Sequence, residues 1–114
     1  MLTIYHNPRC KKSRAGLQYL EEKTRDFEIR KYLNEPLSEE ELKKLFTKLN
    51  AKPSEMVRTQ EDVYKKQLKG KNFTDDEWIK IIAENPKLLQ RPVVEADHKA
   101  VLGNPPENID KLIK

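Results

Sequence analysis

Cysteine is nearly missing from this chain: Cys10 is the only one in 114 residues. A single thiol cannot close an internal disulfide, so the chain is not a stapled secreted scaffold. One cysteine and two histidines, with no ligand spacing among them, also argue against a metal site. Glycine is scarce too, at three residues, and neither a glycine-rich phosphate loop nor a dinucleotide fingerprint is present. No run approaches the ~18 apolar residues of a membrane-spanning helix. The opening MLTIYHNPRC lacks the basic stretch and apolar run of a secretory signal, so the cytoplasm is the expected compartment. Repeats, low-complexity tracts and Gly/Ser linkers are absent. Lys and Arg exceed Asp and Glu by 23 to 19, but the signs are interspersed and leave no basic tract for nucleic acid. A net charge of +4 suits a small anionic substrate or an acidic partner.

What remains is a small, heavily charged globular domain. Hydrophobic and charged residues are nearly equal, at 36% and 37%, and the apolar ones recur with clear periodicity, which argues against disorder. The length suits one domain over 1–114, expected to be a monomer. Leu2, Ile4 and Tyr5 read as a first strand. A helix is expected over 13–22, with Leu17 and Leu20 buried and Gly16 permitting a close approach. Phe27 and Ile29 alternate with charged residues, which predicts a second strand over 26–32.

A helical insert follows over about 38–85. Ser38 with Glu41, and Thr74 with Glu77, are capping boxes that start two helices. Leu42, Leu45, Phe46 and Leu49 form the first apolar stripe, and Trp78, Ile81 and Ile82 the second. Asn50 ends the first helix. A short turn at Pro53 and a helix over 61–68, stopped by Gly70, lie between them. Arg91-Pro92-Val93-Val94 then opens a strand, with Ala100-Val101-Leu102 as its hairpin partner. A final helix is expected over 105–112, with Asn104 as N-cap and Pro105 as first helical residue. The order is βαβ, helical insert, ββα, a small α/β domain with a mixed sheet.

The chemistry centres on Cys10, at the junction of the first strand and the first helix. A free thiol with a pKa of about 8.5 is only about 3% ionised at pH 7. A helix N-terminus and the flanking Arg9, Lys11, Lys12 and Arg14 all favour the thiolate. Cys10 and Ser13 form a CxxS pair, so any redox chemistry is monothiol and needs a second molecule's thiol to resolve the adduct. Ser13 either bonds that thiolate or is an ordinary first-turn serine. His6 either adds charge near the thiol or is structural, and His98 lies in a hairpin turn exposed to solvent. Arg58 and Arg91 are either oxyanion clamps or solvated surface cations.

These residues resemble the glutaredoxin-dependent arsenate reductase family, the ArsC type within the wider ArsC/Spx group. The similarity runs from Ile4-Tyr5-His6-Asn7-Pro8 through Cys10, Ser13 and Arg14. It resumes at Tyr32-Leu33, Pro36, Arg58 and Phe73-Thr74-Asp75-Asp76, then continues at Arg91-Pro92-Val93-Val94 and Gly103-Asn104-Pro105-Pro106-Glu107. The resemblance implies a thioredoxin-like fold with a helical insertion between the second strand and the C-terminal hairpin, and a cis proline at Pro92. It implies Cys10 as nucleophile toward arsenate, with His6, Ser13 and Arg14 holding its thiolate. Arg58 and Arg91 are then substrate-binding, with the oxyanion rather than the thiolate as their target. No bound cofactor is implied; glutathione is the co-substrate and glutaredoxin the partner. One departure stands out: where the reductases carry a third arginine, this chain has Asn104. Two other readings stay open, an Spx-like RNA polymerase-binding regulator and a glutathione-dependent thiol protein of different substrate. Ser13 occupies the position of the second thiol in the Spx disulfide switch, so that switch is unavailable to this chain.

Overall fold

The computed structural model describes residues 1–113, which divide into two compact units. The first comprises 1–35 and 91–113; the second is the intervening 36–90.

The first unit is built on a four-stranded mixed sheet of β1 (Leu2–Tyr5), β2 (Phe27–Arg30), β3 (Val93–Glu95) and β4 (Ala100–Leu102), in the order β2-β1-β3-β4. β1 runs parallel to β2 and antiparallel to β3, and β3 antiparallel to β4. The parallel pair requires a crossover, supplied by helix α1 (Lys11–Lys23). Ile4, Val94 and Val101 stand side by side on the three strands β1, β3 and β4. With Leu20 of α1 and Ile109 they form the buried core, and Leu17 and Phe27 pack at its margin. Ile29 belongs to the same cross-strand row, opposite Ile4, yet is 45% exposed. The alternation of Phe27 and Ile29 is real, but β2 is an edge strand and its outer end lies beyond the core cover.

α1 begins two residues before the expected start, directly after Cys10. The backbone approaches the Pro92 ring closely at two glycines. A Cβ placed on Gly16 would overlap the Pro92 ring, and one on Gly103 would come within 3.1 Å of Pro92 Cγ and 3.3 Å of Ile109 Cδ1. The Gly103 N–H donates to the Pro92 carbonyl at 2.7 Å. The Arg91–Pro92 and Asn104–Pro105 peptides are both cis.

The C-terminal helix differs from expectation at its start. Pro105 has an extended backbone (φ −65°, ψ 156°), and the helix opens as a 3₁₀ turn, Pro106–Ile109, before the short α4 (Asp110–Ile113). Asn104 is therefore not the N-cap. A residue followed by proline is pushed away from helical backbone, so in a Pro-Pro pair only the second proline can be the first helical residue. Ile109 is fully buried, while Leu112 and Ile113 are partly so.

The second unit is helical. α2 (Glu39–Leu49) and α3 (Asp75–Glu84) each start with a formed capping box, in which Ser38 and Thr74 accept from the N–H groups of Glu41 and Glu77. Asn50 ends α2 in the left-handed region (φ 54°). Leu42, Leu45 and Phe46 of α2 are buried, as are Trp78, Ile79 and Ile82 of α3. Ile79, not Ile81, completes the α3 face, because α3 packs against both α2 and the 3₁₀ turn Pro53–Met56 and so buries a wider arc than one stripe. The segment over 61–68 closes as a π-helical turn, Tyr64–Leu68, and Gly70 follows with φ 80°. Among the described residues no helix is long and apolar enough to cross a membrane, and no cluster of three His, Cys, Asp or Glu gathers to hold a metal.

The crowding around Pro92 gives a direct test. Gly16→Ala should destabilise the protein by about 1–3 kcal/mol through overpacking, lowering the melting temperature by roughly 5–15 °C. A melting temperature unchanged in a thermal denaturation scan would show that the Pro92 ring yields freely.

Candidate active site

The sheet register brings the site together. Tyr5, the last residue of β1, lies opposite Arg30 on one side and Val93 on the other, and Val93 lies opposite Leu102. Following each strand past this row leads, at one end of the sheet, to the Cys10 loop, Tyr32, Arg91 and Asn104. Residues far apart in sequence therefore converge because β3 and β4 alternate in direction.

The Cys10 loop is held by buried polar residues. His6 and Asn7 are buried, while Pro8 and Arg9 project into solvent. The His6 N–H donates to the Arg30 carbonyl at 2.9 Å, extending the β1–β2 ladder by one bond. Asn7 then turns the chain: its Oδ1 accepts from the Arg9 N–H and its carbonyl from the Cys10 N–H, both at 3.0 Å. Cys10 is the N-cap of α1 with extended backbone (φ −94°, ψ 124°) and is half-buried. Its carbonyl accepts from the Arg14 N–H at 2.9 Å, the first bond of the helix.

Beneath the loop, Ser13 is fully buried. Its Oγ accepts from the Asn7 N–H at 3.0 Å and lies 2.7 Å from His6 Nδ1. The His6 pKa is lowered, first by burial, then by the Lys31 and Arg14 charges, with Glu21 opposing them. A neutral His6 brings no charge to the thiol; it fixes the position of Ser13. Arg14 donates from a guanidinium nitrogen to the Pro8 carbonyl at 3.0 Å, so it braces the loop. Arg9, Lys11 and Lys12 are exposed.

The Cys10 pKa lies below its ordinary value. Burial is the largest single influence and opposes ionisation; the hydrogen bond from the Arg91 side chain, the Ser13 amide, the Arg91 charge and the Lys12 amide together outweigh it. The neutral side chain forms no capping hydrogen bond; the first-turn amides act on the charge that ionisation creates. The direct donor is residue 91, remote in sequence, rather than the side chains of the flanking cations. Arg91 is thus placed to act on the sulfur itself, beside the oxyanion-binding role expected of it. Arg91 is 9% exposed and also bonds the Tyr32 side chain. Its own pKa is raised: burial, the largest influence, lowers it, and the hydrogen bonds and charge interactions with Cys10 and Tyr32 together more than compensate.

Asn104 is half-buried directly after Gly103, at the same end of the sheet, and its carbonyl lies 3.5 Å from Asn108 Nδ2. Arg58 belongs to the second unit. Its N–H donates to the Leu88 carbonyl at 2.7 Å, and its Nε to Glu61 Oε2 at 3.1 Å in a largely buried ion pair. His98 is exposed in the hairpin turn. Two site residues escaped the sequence reading of roles, Asn7 and Tyr32. Asn7-Pro8 carried a turn signal that could have revealed the first. An aromatic residue just past a strand carries no such signal.

The family model described as ArsC family matches residues 5–112. The chain is 44% identical to an arsenate reductase of Neisseria meningitidis serogroup A, across 98% of this chain and 97% of that protein. It is 37% identical to an arsenate reductase of Haemophilus influenzae, across 96% and 97%. Among solved structures, an arsenate reductase from Vibrio cholerae superposes with a TM-score of 0.90 at 38% identity, covering 99% of this chain and 97% of that one. The α/β fold is therefore of the thioredoxin-like type with a helical insertion.

The alkylation rate of Cys10 against pH should show a midpoint below that of free cysteine, near 8.5. Arg91→Ala should raise that midpoint by about one unit or more, since a charge-assisted donor to the thiolate is lost. An Arg91→Ala midpoint equal to the wild-type one would remove Arg91 from the account of the thiolate.

Proposed function

The chain belongs to the ArsC family, and from that footing we propose that it is a monothiol, glutathione- and glutaredoxin-coupled reductase of arsenate or a related oxyanion. The observation that carries this reading is the setting of Cys10: a lone thiol at the head of a helix, hydrogen-bonded by a buried arginine that favours its ionised form. Such a thiolate is nucleophilic, and the arginine beside it offers further donors to an incoming oxyanion.

In this mechanism the Cys10 thiolate attacks arsenic, an S–As bond forms, and one arsenic-bound oxygen leaves as water after taking up protons. Glutathione's sulfur then bonds to the Cys10 sulfur. The electron pair of the S–As bond stays on arsenic, reducing As(V) to As(III), which departs as arsenite. The Cys10–glutathione disulfide is reduced by a glutaredoxin thiol, which carries the glutathione away. Because Ser13 replaces any second thiol, the resolving sulfur must come from outside the chain. The need for a glutathione pool favours a cytoplasmic setting. Arg91 and Arg58 supply positive charge to the oxyanion, His6, Ser13 and Arg14 hold the loop that presents Cys10, and Asn104 leaves one cationic position unfilled.

Two outcomes are expected. Arsenate, glutathione and glutaredoxin together should yield arsenite with the wild-type protein and none with Cys10→Ser; equal turnover in the two would end the thiol mechanism. Asn104→Arg should raise kcat/KM for arsenate by roughly tenfold, about 1.4 kcal/mol, because a preorganised cation stabilises charge gathered in the transition state. Asn104 is not a helix cap, so the variant should melt within a few degrees of the wild type. A well-folded Asn104→Arg with flat arsenate turnover would point to a different oxyanion.

A further inference from the structure

We infer that Tyr32 is a positioning residue for the reaction at Cys10: its hydroxyl holds the Arg91 guanidinium in the orientation from which Arg91 hydrogen-bonds the Cys10 sulfur. The inference rests on Cys10 being the reacting thiol and deepens that reading by naming what aims its arginine.

Tyr32 is 1% exposed, among the most buried large side chains of the protein. Its ring lies two residues beyond Arg30, and Arg91 lies two residues before Val93; Arg30 and Val93 flank Tyr5 on opposite sides. Both side chains therefore come from the same end of the sheet, one from each strand flanking β1. Arg91 makes hydrogen bonds to Tyr32 and to Cys10. A guanidinium is a rigid planar fork, so two acceptors contacted at once fix both its plane and its rotation. A tyrosine hydroxyl accepts such a bond on a short ring with few torsions, and so makes a stiff anchor. Burial of Arg91 sharpens the point, because a nearly dry cation depends on the acceptors it has. The side chain that acts on the Cys10 ionisation is Arg91, so the effect assigned to Tyr32 passes through Arg91.

The test is Cys10 alkylation against pH in wild type, Tyr32→Phe, Arg91→Ala and the double variant, with thermal melting beside it. Tyr32→Phe removes one hydroxyl and keeps the ring. It should melt within a few degrees of wild type, yet move the alkylation midpoint up by about half a unit or more, roughly a threefold change in the thiolate-to-thiol ratio. On the Arg91→Ala background the same change should move the midpoint no further. The inference is overturned by a wild-type-like midpoint in Tyr32→Phe, by an equal shift with and without Arg91, or by a downward shift, which would mean that Tyr32 competes with the sulfur for the arginine. A wild-type midpoint at the free-cysteine value overturns the reactive-thiol reading, and this inference with it; a low wild-type midpoint that Tyr32→Phe does not move overturns the inference alone. If the Phe variant does not fold, fluorotyrosine at position 32 keeps the ring and weakens the oxygen as an acceptor, and the same upward shift is required.

Discussion

A cation placed almost out of water sets the terms for the first unit. Arg91 is 9% exposed, and a guanidinium so enclosed is tolerable only where other groups accept its hydrogen bonds. Its acceptors include a phenol and a thiol, Tyr32 and Cys10. The phenol is neutral, so charge balance improves when the thiol ionises. The same demand that makes Arg91 costly to bury makes Cys10 easy to deprotonate. The surrounding construction serves to keep the three side chains in register: His6, Asn7 and Ser13 fix the loop that carries Cys10, and Gly16 and Gly103 let the backbone close around Pro92 beside Arg91.

This arrangement divides the work between near and far charge. Arg9, Lys11, Lys12 and Arg14 surround Cys10 in sequence, yet the first three are exposed and Arg14 is engaged with a carbonyl. Solvent screens such charges strongly. Arg91 is remote in sequence and adjacent in space, and acts through a direct bond in a drier setting. His6, its pKa held below the ordinary value chiefly by burial, contributes geometry by bonding Ser13.

Much of the fold was legible because its signals are local. The two capping boxes, the left-handed Asn50 and the hairpin of β3 and β4 each depend on residues a few positions apart. Cys10 stood out for the same reason, as a thiol between a broken strand and a helix. What escaped depends on tertiary partners. Ile29 has the spacing of a core residue and the exposure of a sheet edge. Ile79 displaced Ile81 because the width of a buried face is set by what packs on it. Asn104 looks like a cap until the second proline takes the first helical position. Tyr32 and Arg91 meet only because strands of opposite direction end together.

The connectivity of the sheet has a consequence for how the protein is made. β1 acquires its parallel neighbour within the first 30 residues, but its other neighbour, β3, begins at residue 93. The helical residues 36–90 are continuous and come between. On a ribosome the central strand therefore emerges early with one side unsatisfied, and stays so while the helical unit is synthesised. Arg91 itself arrives only after that interval. The nascent thiol spends its first seconds in a chain that cannot yet activate it, so Cys10 becomes reactive only once the sheet is closed.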